Sequence, residues 1–458
     1  MRGRPFCRRA RRALALAALG AATSLAAAPR LAHAGQATCS NPSLPPGTST
    51  VTELTPGRLT LSWTTSLLPI WASETVEERD GLVRNDTRLL SFDSRLAAEY
   101  AVTPWLAFTI AAPYRVIDVE LDQAAVAPGA EPPGGSIHVR SERLHGPGDV
   151  SVGAHLAREL GRVRLHLRLG TSLPLGSTVE NPHLLGQLGQ DHQHVQLGTG
   201  TFIPYLAAEL AHDLSPRVSM SGWALAQPSL YENGEGFQAG DRYSGGATAT
   251  LALARRRWVF GLALEAHGET AETWRGRVYR DEGNAGRLDL LAGATASLRA
   301  SSAVVFTSDF RYAAQSWARG TQVDYGVVAS LGVAVNFDLR RKASWRGADH
   351  RALGPAGSAA PLAPVPGKIT VIDLWAEWCA PCRELDGELA ELARAHPDRL
   401  AVRKLDVVDP DSPAWTTYLA PGQYALPHVK VYDTDGRLLF ERTAPAAQLI
   451  RDIAALLR

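Results

Sequence analysis

Methionine is almost missing, with two in 458 residues, and cysteine is scarce, with four. So few cysteines exclude a disulfide scaffold, in which several bridges stand in for a core. Charge of one sign is missing too. The 47 basic residues against 46 acidic ones leave a net charge of +1, which points to neither a nucleic acid nor an acidic partner. Past the N-terminal segment no apolar run reaches the roughly eighteen residues of a membrane helix. A chain this long is expected to form two or three units, not one core.

What is present begins with a targeting segment. Met1–Arg12 holds six arginines, Ala13–Ala28 is uncharged and rich in Ala and Leu, and Ala32-His33-Ala34 offers small residues for cleavage. This predicts a secretory signal peptide over residues 1–34, not a span. Its removal takes Cys7 and leaves Cys39, Cys379 and Cys382 in a compartment outside the cytoplasm. Residues 35–57 read as a flexible lead, with Cys39 an incidental thiol.

Residues 58–340 carry no helical stripe but alternate with period two. Trp258, Phe260, Leu262 and Leu264 fall on one face, and Gly261, Ala263, Glu265 and His267 on the other. Val163, Leu165, Leu167 and Leu169 alternate with Arg164, His166 and Arg168. The strands are longer than the roughly 5–6 residues usual in soluble sheets. About twelve are predicted, at 58–67, 89–101, 104–119, 148–160, 162–175, 198–213, 216–230, 243–255, 257–269, 287–299, 302–315 and 322–339. Short connections (102–103, 161, 214–215, 256, 300–301) alternate with long ones (68–88, 120–147, 176–197, 270–286). That is the pattern of an antiparallel transmembrane β-barrel of the outer-membrane type, with its apolar face to lipid, its polar face to the lumen and its short turns in the periplasm. An even strand count puts both barrel ends on the short-turn side. A secreted two-sheet sandwich is the competing fold, but it needs shorter strands and no alternation of connections.

Within the barrel, Arg162, Arg164, His166 and Arg168 read as solvating the inner wall; lumen-lining arginines would favour anions. Asp191-His192-Gln193-His194, with His183 nearby, has the residue types of a metal site, but no further ligand is fixed by spacing. It reads as an exposed polar loop, and no metal is expected. Gly146-Pro147-Gly148-Asp149 opens one strand, and Leu173-Pro174-Leu175-Gly176 closes the next hairpin. These two motifs resemble those of the outer-membrane barrel family linked to meta-pathway phenol degradation. The resemblance implies a passage for small hydrophobic molecules.

Residues 341–367 are rich in Ala, Pro and Gly and show no periodicity, which predicts a semi-rigid extended tether. From Lys368 the pattern turns to strand, helix, strand, helix, then a hairpin around Asp435-Gly436 and a closing helix over 447–457. Trp378-Cys379-Ala380-Pro381-Cys382 lies between an apolar strand (369–374) and a polar helix (383–394). Two thiols spaced C-x-x-C in that position read as a redox pair. Cys379, at the helix N-terminus, gains thiolate character from the unpaired N–H groups and the dipole, and Cys382 one turn on is placed to resolve a mixed disulfide. A zinc site would need a second ligand pair, which is not there.

The run Val371-Ile372-Asp373-Leu374-Trp375-Ala376-Glu377-Trp378-Cys379-Ala380-Pro381-Cys382 is similar to the signature of the thioredoxin family, and the resemblance spans 368–458. It implies a thioredoxin-fold α/β domain, with Cys379 attacking and Cys382 buried and resolving. Asp373 takes the proton that Cys382 gives up, with Lys404 as its partner. Leu426 and Pro427 occupy the place of the cis-proline loop that pairs with a bound peptide, and Trp378 and Pro381 line that groove. Trp375 packs under the helix. Gly387 stands where the family has a helix-kinking proline, and Thr443-Ala444-Pro445 replaces a glycine turn beside the groove. The expected activity is protein thiol–disulfide exchange with no cofactor beyond the redox-active pair. The substrates would be disulfide-bonded periplasmic proteins. Lacking an NADPH motif, the domain would draw electrons from an inner-membrane thiol carrier. The rival expectations are an outer-membrane channel or transport protein that uses the domain as a docking module, and a soluble secreted oxidoreductase.

Overall fold

The computed structural model describes residues 54–78, 81–125, 141–161, 163–190, 192, 194–215, 217–253, 257–279, 284–301, 303–320, 326–339 and 344–457. The expected signal peptide, Cys39, Arg162, Asp191 and Gln193 lie outside them.

The N-terminal part is built from β1 (Arg58–Glu78), β2 (Gly81–Thr103), β3 (Leu106–Ala125), β4 (Glu142–Pro147), β5 (Val150–Leu160) and β6 (Val163–Leu173). A short helix α1 (Pro182–Gln187) follows, then β7 (Pro204–Asp213), β8 (Val218–Gln227), the two-residue β9 (Phe237–Gln238), β10 (Arg242–Leu253) and β11 (Trp258–Glu269). The two-residue β12 (Thr273–Trp274), β13 (Asn284–Arg299), β14 (Val304–Gly320) and β15 (Val327–Asp338) complete it. All except β9 and β12 belong to one sheet. β1 pairs antiparallel with β2 on one side and β15 on the other, so the sheet closes and leaves no edge. β4 and β5 both lie along β3, separated by Gly148 and Asp149; counted as one bent strand they bring the barrel to the twelve that the alternation predicts.

The alternation orients the wall. In β11, Leu262 and Leu264 are 71% and 70% exposed on the outside, while Ala263 and Glu265 between them are 5% and 4% exposed on the inside. A leucine outside and a carboxylate inside invert the order of a water-soluble sheet, and rule against the secreted sandwich. Trp63, Tyr100, Phe108, Phe260, Phe306 and Phe337 add large exposed rings to the outer face.

The strands run further than expected at one end. The predicted long loop 68–88 is instead the continuation of β1 and β2, paired from Leu68↔Ser91 to Glu78↔Gly81. Its Glu, Arg, Asn, Asp and Thr residues hide the alternation, because a wall beyond the apolar belt needs no apolar face. At the opposite end Arg58 pairs with Asp338, and the Leu339 amide donates to the Gly57 carbonyl at 2.9 Å. Both barrel ends therefore lie on the short-turn side, which the C-terminal part leaves.

Leu68, Ile70, Leu89, Ile117, Val119, Leu291 and Val328 make an apolar inner patch against which Val195 of the β6–β7 segment packs. The two glycine motifs anchor that segment. Asp149 accepts hydrogen bonds from the Gly176 amide at 3.0 Å and from the Thr199 amide and hydroxyl, both at 2.7 Å. A Cβ on Gly176 would come within 2.6 Å of the Gly198 Cα, so only glycine fits that approach. Elsewhere the inner wall is polar and paired. Arg311 meets Glu265 and Asp309, and Arg287 meets Asp289. Arg164 meets Asp213, Arg168 lies 3.8 Å from Glu209, and His166 shares a 2.9 Å hydrogen bond with His155. These arginines face inward as expected, but each is matched by a carboxylate.

The C-terminal part is a five-stranded sheet in the order β16 (Asp349–Ala352), β18 (Leu400–Asp406), β17 (Ile369–Trp375), β19 (His428–Tyr432), β20 (Leu438–Thr443). β16, β18 and β17 are parallel, β19 runs antiparallel to β17, and β20 runs antiparallel to β19. Helices α2 (Ala380–Ala395) and α4 (Ala446–Ala455) cover one face with Val371, Leu385, Leu389, Val402, Leu449 and Ile453 as core. Helix α3 (Pro413–Tyr418) covers the other, over Ile372, Leu374, Leu405, Val407 and Leu419. α2 runs unbroken through Gly387.

The expected tether is a correction. Of the segment 341–367, residues 344–367 belong to this domain: β16 joins the sheet edge, and Trp345, Leu353, Ala360 and Leu362 pack on the two cores. The Gly357 amide donates to the Asp406 carbonyl at 2.7 Å, and the Tyr418 hydroxyl to the Ala360 carbonyl at 2.8 Å. An extended chain laid on a finished surface places its apolar residues wherever that surface has room, so no period shows in the sequence. A fragment 344–458 should accordingly be more stable than 365–458 by about 2–4 kcal/mol, the burial of those side chains less the cost of ordering the chain. Equal urea midpoints for the two fragments would contradict this.

Candidate redox site

The site forms where β17 ends and α2 begins. Ala376 to Trp378 turn the chain, and Cys379 is the N-cap of α2, its sulfur accepting the Cys382 amide at 3.1 Å. Pro381 in the first turn needs no partner for the amide it lacks. The two sulfurs are bonded (Cα–Cα 5.3 Å), and both cysteines are buried, at 2% and 1% exposure. The helix N-terminus that stabilises this sulfur as a thiolate is thus assembled by local sequence alone.

Around the pair the longer-range structure supplies the walls. The Trp378 indole donates to the Val408 carbonyl at 2.5 Å, and its ring lies 6.3 Å from that of Trp415. The Leu426–Pro427 peptide is cis, as the resemblance implies, and Leu426 and Trp378 pack on the cluster that contains both cysteines. Behind Pro427, His428 is buried, bonded to Thr443 Oγ1 at 2.9 Å and Glu441 Oε1 at 3.0 Å and stacked on Tyr424. Burial holds its pKa below the usual histidine value, against the raising effect of Glu441.

Asp373 lies on the α2 face of β17, two residues from Val371, and is fully buried. Neither carboxylate oxygen has a hydrogen-bond partner. Lys404, its register neighbour on β18, brings its Nζ to 3.8 Å. Burial pushes the Asp373 carboxyl up to about 7, with Lys404 lowering it and Asp386 raising it. A carboxyl that titrates near neutrality is suited to proton transfer. The sequence did not single out Asp386, whose carboxylate pairs with the Lys404 ammonium, although its place four residues after Cys382 puts it one helical turn on. It also missed Trp345 and Trp375 as a ring bracket for Lys404, at 5.9 and 4.4 Å.

The other candidate site changes character. His183, His192 and His194, expected in an exposed loop, are buried, with His183 stacked on Tyr279 at 3.6 Å and His192 and His194 rings 4.8 Å apart. Among the described residues no group of three His, Cys, Asp or Glu side chains is placed to hold a metal.

The thioredoxin family model matches residues 364–419. A thioredoxin of Alicyclobacillus acidocaldarius is 35% identical over 83 residues, which are 18% of this chain and 68% of that protein. By its C-terminal domain, the chain belongs to the thioredoxin family. A thiol:disulfide interchange protein DsbE of Allochromatium vinosum is 26% identical over 99 residues, and the match spans 53% of it. Among solved structures, an outer membrane channel from Pseudomonas putida F1 aligns with 64% of this chain and 100% of its own, at 13% identity and a TM-score of 0.45. In this thioredoxin domain no long insertion separates α2, β18, α3 and β19.

Proposed function

We propose that the chain is a protein thiol–disulfide oxidoreductase held on the periplasmic side of an outer membrane by its barrel. The observation that carries this is the Cys379–Cys382 pair at the α2 N-terminus, packed in one cluster with Trp378 and with Leu426 of the cis Pro427 loop. In the reducing direction the Cys379 thiolate attacks a substrate disulfide. That S–S bond breaks, one substrate sulfur leaves with the electron pair, and a mixed disulfide forms. Cys382 then gives its proton toward Asp373 and attacks the Cys379 sulfur, releasing the second substrate thiol and closing the intramolecular disulfide. Two electrons pass to the substrate, and a membrane-bound thiol carrier would return them.

The exposed apolar belt supports contact with lipid, and the short-turn exit of the chain supports a periplasmic domain, since short turns of such barrels face the periplasm. Protein disulfides are the proposed substrate class. The test has two parts. The purified chain in detergent should reduce insulin disulfides with dithiothreitol as donor, and protease added to whole cells should leave the C-terminal domain intact. An inactive but folded chain would favour a docking role, and digestion from outside would reverse the orientation.

A further inference from the structure

We propose that Asp386 is a positioning residue for the Cys382 proton transfer, because it holds the Lys404 ammonium away from Asp373. This rests on the oxidoreductase reading above. Lys404 has two carboxylates within reach. Its Nζ lies against Asp386 Oδ1 and stands 3.8 Å from Asp373 Oδ2, so the ammonium's close contact goes to the helix and not to the buried strand carboxylate. The Trp375 and Trp345 rings also lie against the ammonium, at 4.4 and 5.9 Å. Asp373 is left fully buried without a hydrogen bond. A buried carboxyl with an ammonium in direct contact stays ionised, whereas one denied that contact keeps its proton to higher pH. The value of about 7, set mainly by burial, with Lys404 lowering it and Asp386 raising it, agrees with the geometry.

The surrounding charges do not replace Asp386. From β16, His350 stacks on Trp345, and burial and Lys404 hold its pKa down. From β18, Arg403 is bonded to Asp349 at 2.8 Å, and Asp406 faces the Val408 amide. From β19 the register neighbour of Asp373 is Val429, which carries no charge. On α2, burial raises the Glu388 carboxyl, with Glu384 and Glu391 adding to it.

The consequence concerns the step in which Cys382 leaves. When dithiothreitol reduces the domain, its thiolate attacks the Cys379 sulfur and the Cys379–Cys382 bond breaks. The electron pair leaves on Cys382, which takes a proton from Asp373. The second dithiothreitol thiol then displaces Cys379 and closes the cyclic disulfide. That proton is available only while Asp373 is protonated. The rate, corrected for the thiolate fraction of dithiothreitol, should therefore break downward as Asp373 ionises.

The experiment is the pH profile of that rate for the full chain in detergent, followed by alkylation of the freed thiols. In Asp386→Asn the ammonium turns to Asp373, and the break should fall by about one pH unit. Asp386→Glu should restore it, and Asp373→Asn should abolish it whether or not Asp386 is also changed. A break in folded Asp386→Asn at the wild-type pH overturns the proposal, as does a shift by Asp386→Asn that persists in the Asp373→Asn background. Should Asp386→Asn fail to fold, Lys404→Met must move the break up, and an unmoved break there overturns the proposal equally. Insulin reduction is read separately. A chain that reduces no insulin but shows the shifted break refutes the oxidoreductase reading and leaves Asp386 in its role.

Discussion

Replacing Cys379 with serine is expected to abolish insulin reduction, by about a thousandfold or more, while leaving the barrel and the thioredoxin fold intact. A hydroxyl at the α2 N-cap still accepts the Cys382 amide, so the helix start survives. It cannot attack a disulfide, because a serine hydroxyl is not ionised near neutrality and an oxygen does not exchange with a disulfide sulfur. Cys382→Ser should behave differently. Cys379 still attacks, but nothing resolves the product, so a mixed disulfide with insulin accumulates and is seen as a larger species on non-reducing gels. Full activity in Cys379→Ser would remove the thiol pair from the function and leave the domain a docking module.

Asp373→Asn is expected to change stability and pH dependence together. In the unfolded chain this carboxyl titrates near 3.8, and in the native domain at about 7. The folded state therefore holds the proton that the unfolded state has lost between those values. Its contribution is fully present below about pH 4, is lost as the pH rises, and is gone above about pH 7. Three units correspond to about 4 kcal/mol. Asparagine, which has no charge to desolvate, should recover much of that at pH 8 and almost nothing at pH 4. Urea unfolding of the 344–458 fragment at the two pH values measures it. Equal gains at both would mean that the native carboxyl is not held protonated. The same substitution should slow disulfide exchange by about tenfold to a hundredfold at neutral pH, since it removes the proton acceptor.

The parts legible in the sequence are those set by neighbours along the chain. The alternation of Phe260, Leu262 and Leu264 with Gly261, Ala263 and Glu265 gave the barrel wall its inside and outside, because a strand turns successive side chains to opposite faces. Trp378 to Cys382 gave the redox pair, because a helix N-cap is a local event. Over 72–88 the sequence carries few apolar residues and no alternation, so the strand pairing there is invisible until β1 and β2 are seen side by side. Where a chain lies on a surface built by others, as over 344–367, its apolar residues Trp345, Leu353 and Leu362 keep no period and were read as a tether. The histidines of the β6–β7 segment were taken for surface residues, because nothing local says that this segment folds inward and is tied down through Asp149.

The order of residues along the chain thus determined a twelve-stranded barrel wall and the pairing of Cys379 with Cys382, since each follows from spacing within a strand or a helical turn, while the thioredoxin domain showed through the resemblance of the run Val371 to Cys382. Only the tertiary structure decided that Val195 of the β6–β7 segment packs on the inner wall, that β16 belongs to the domain, and that Lys404 sits closer to Asp386 than to Asp373. Those are matters of which side chains meet across elements far apart in sequence, where a difference of an ångström or two in the reach of one ammonium settles which carboxylate it neutralises.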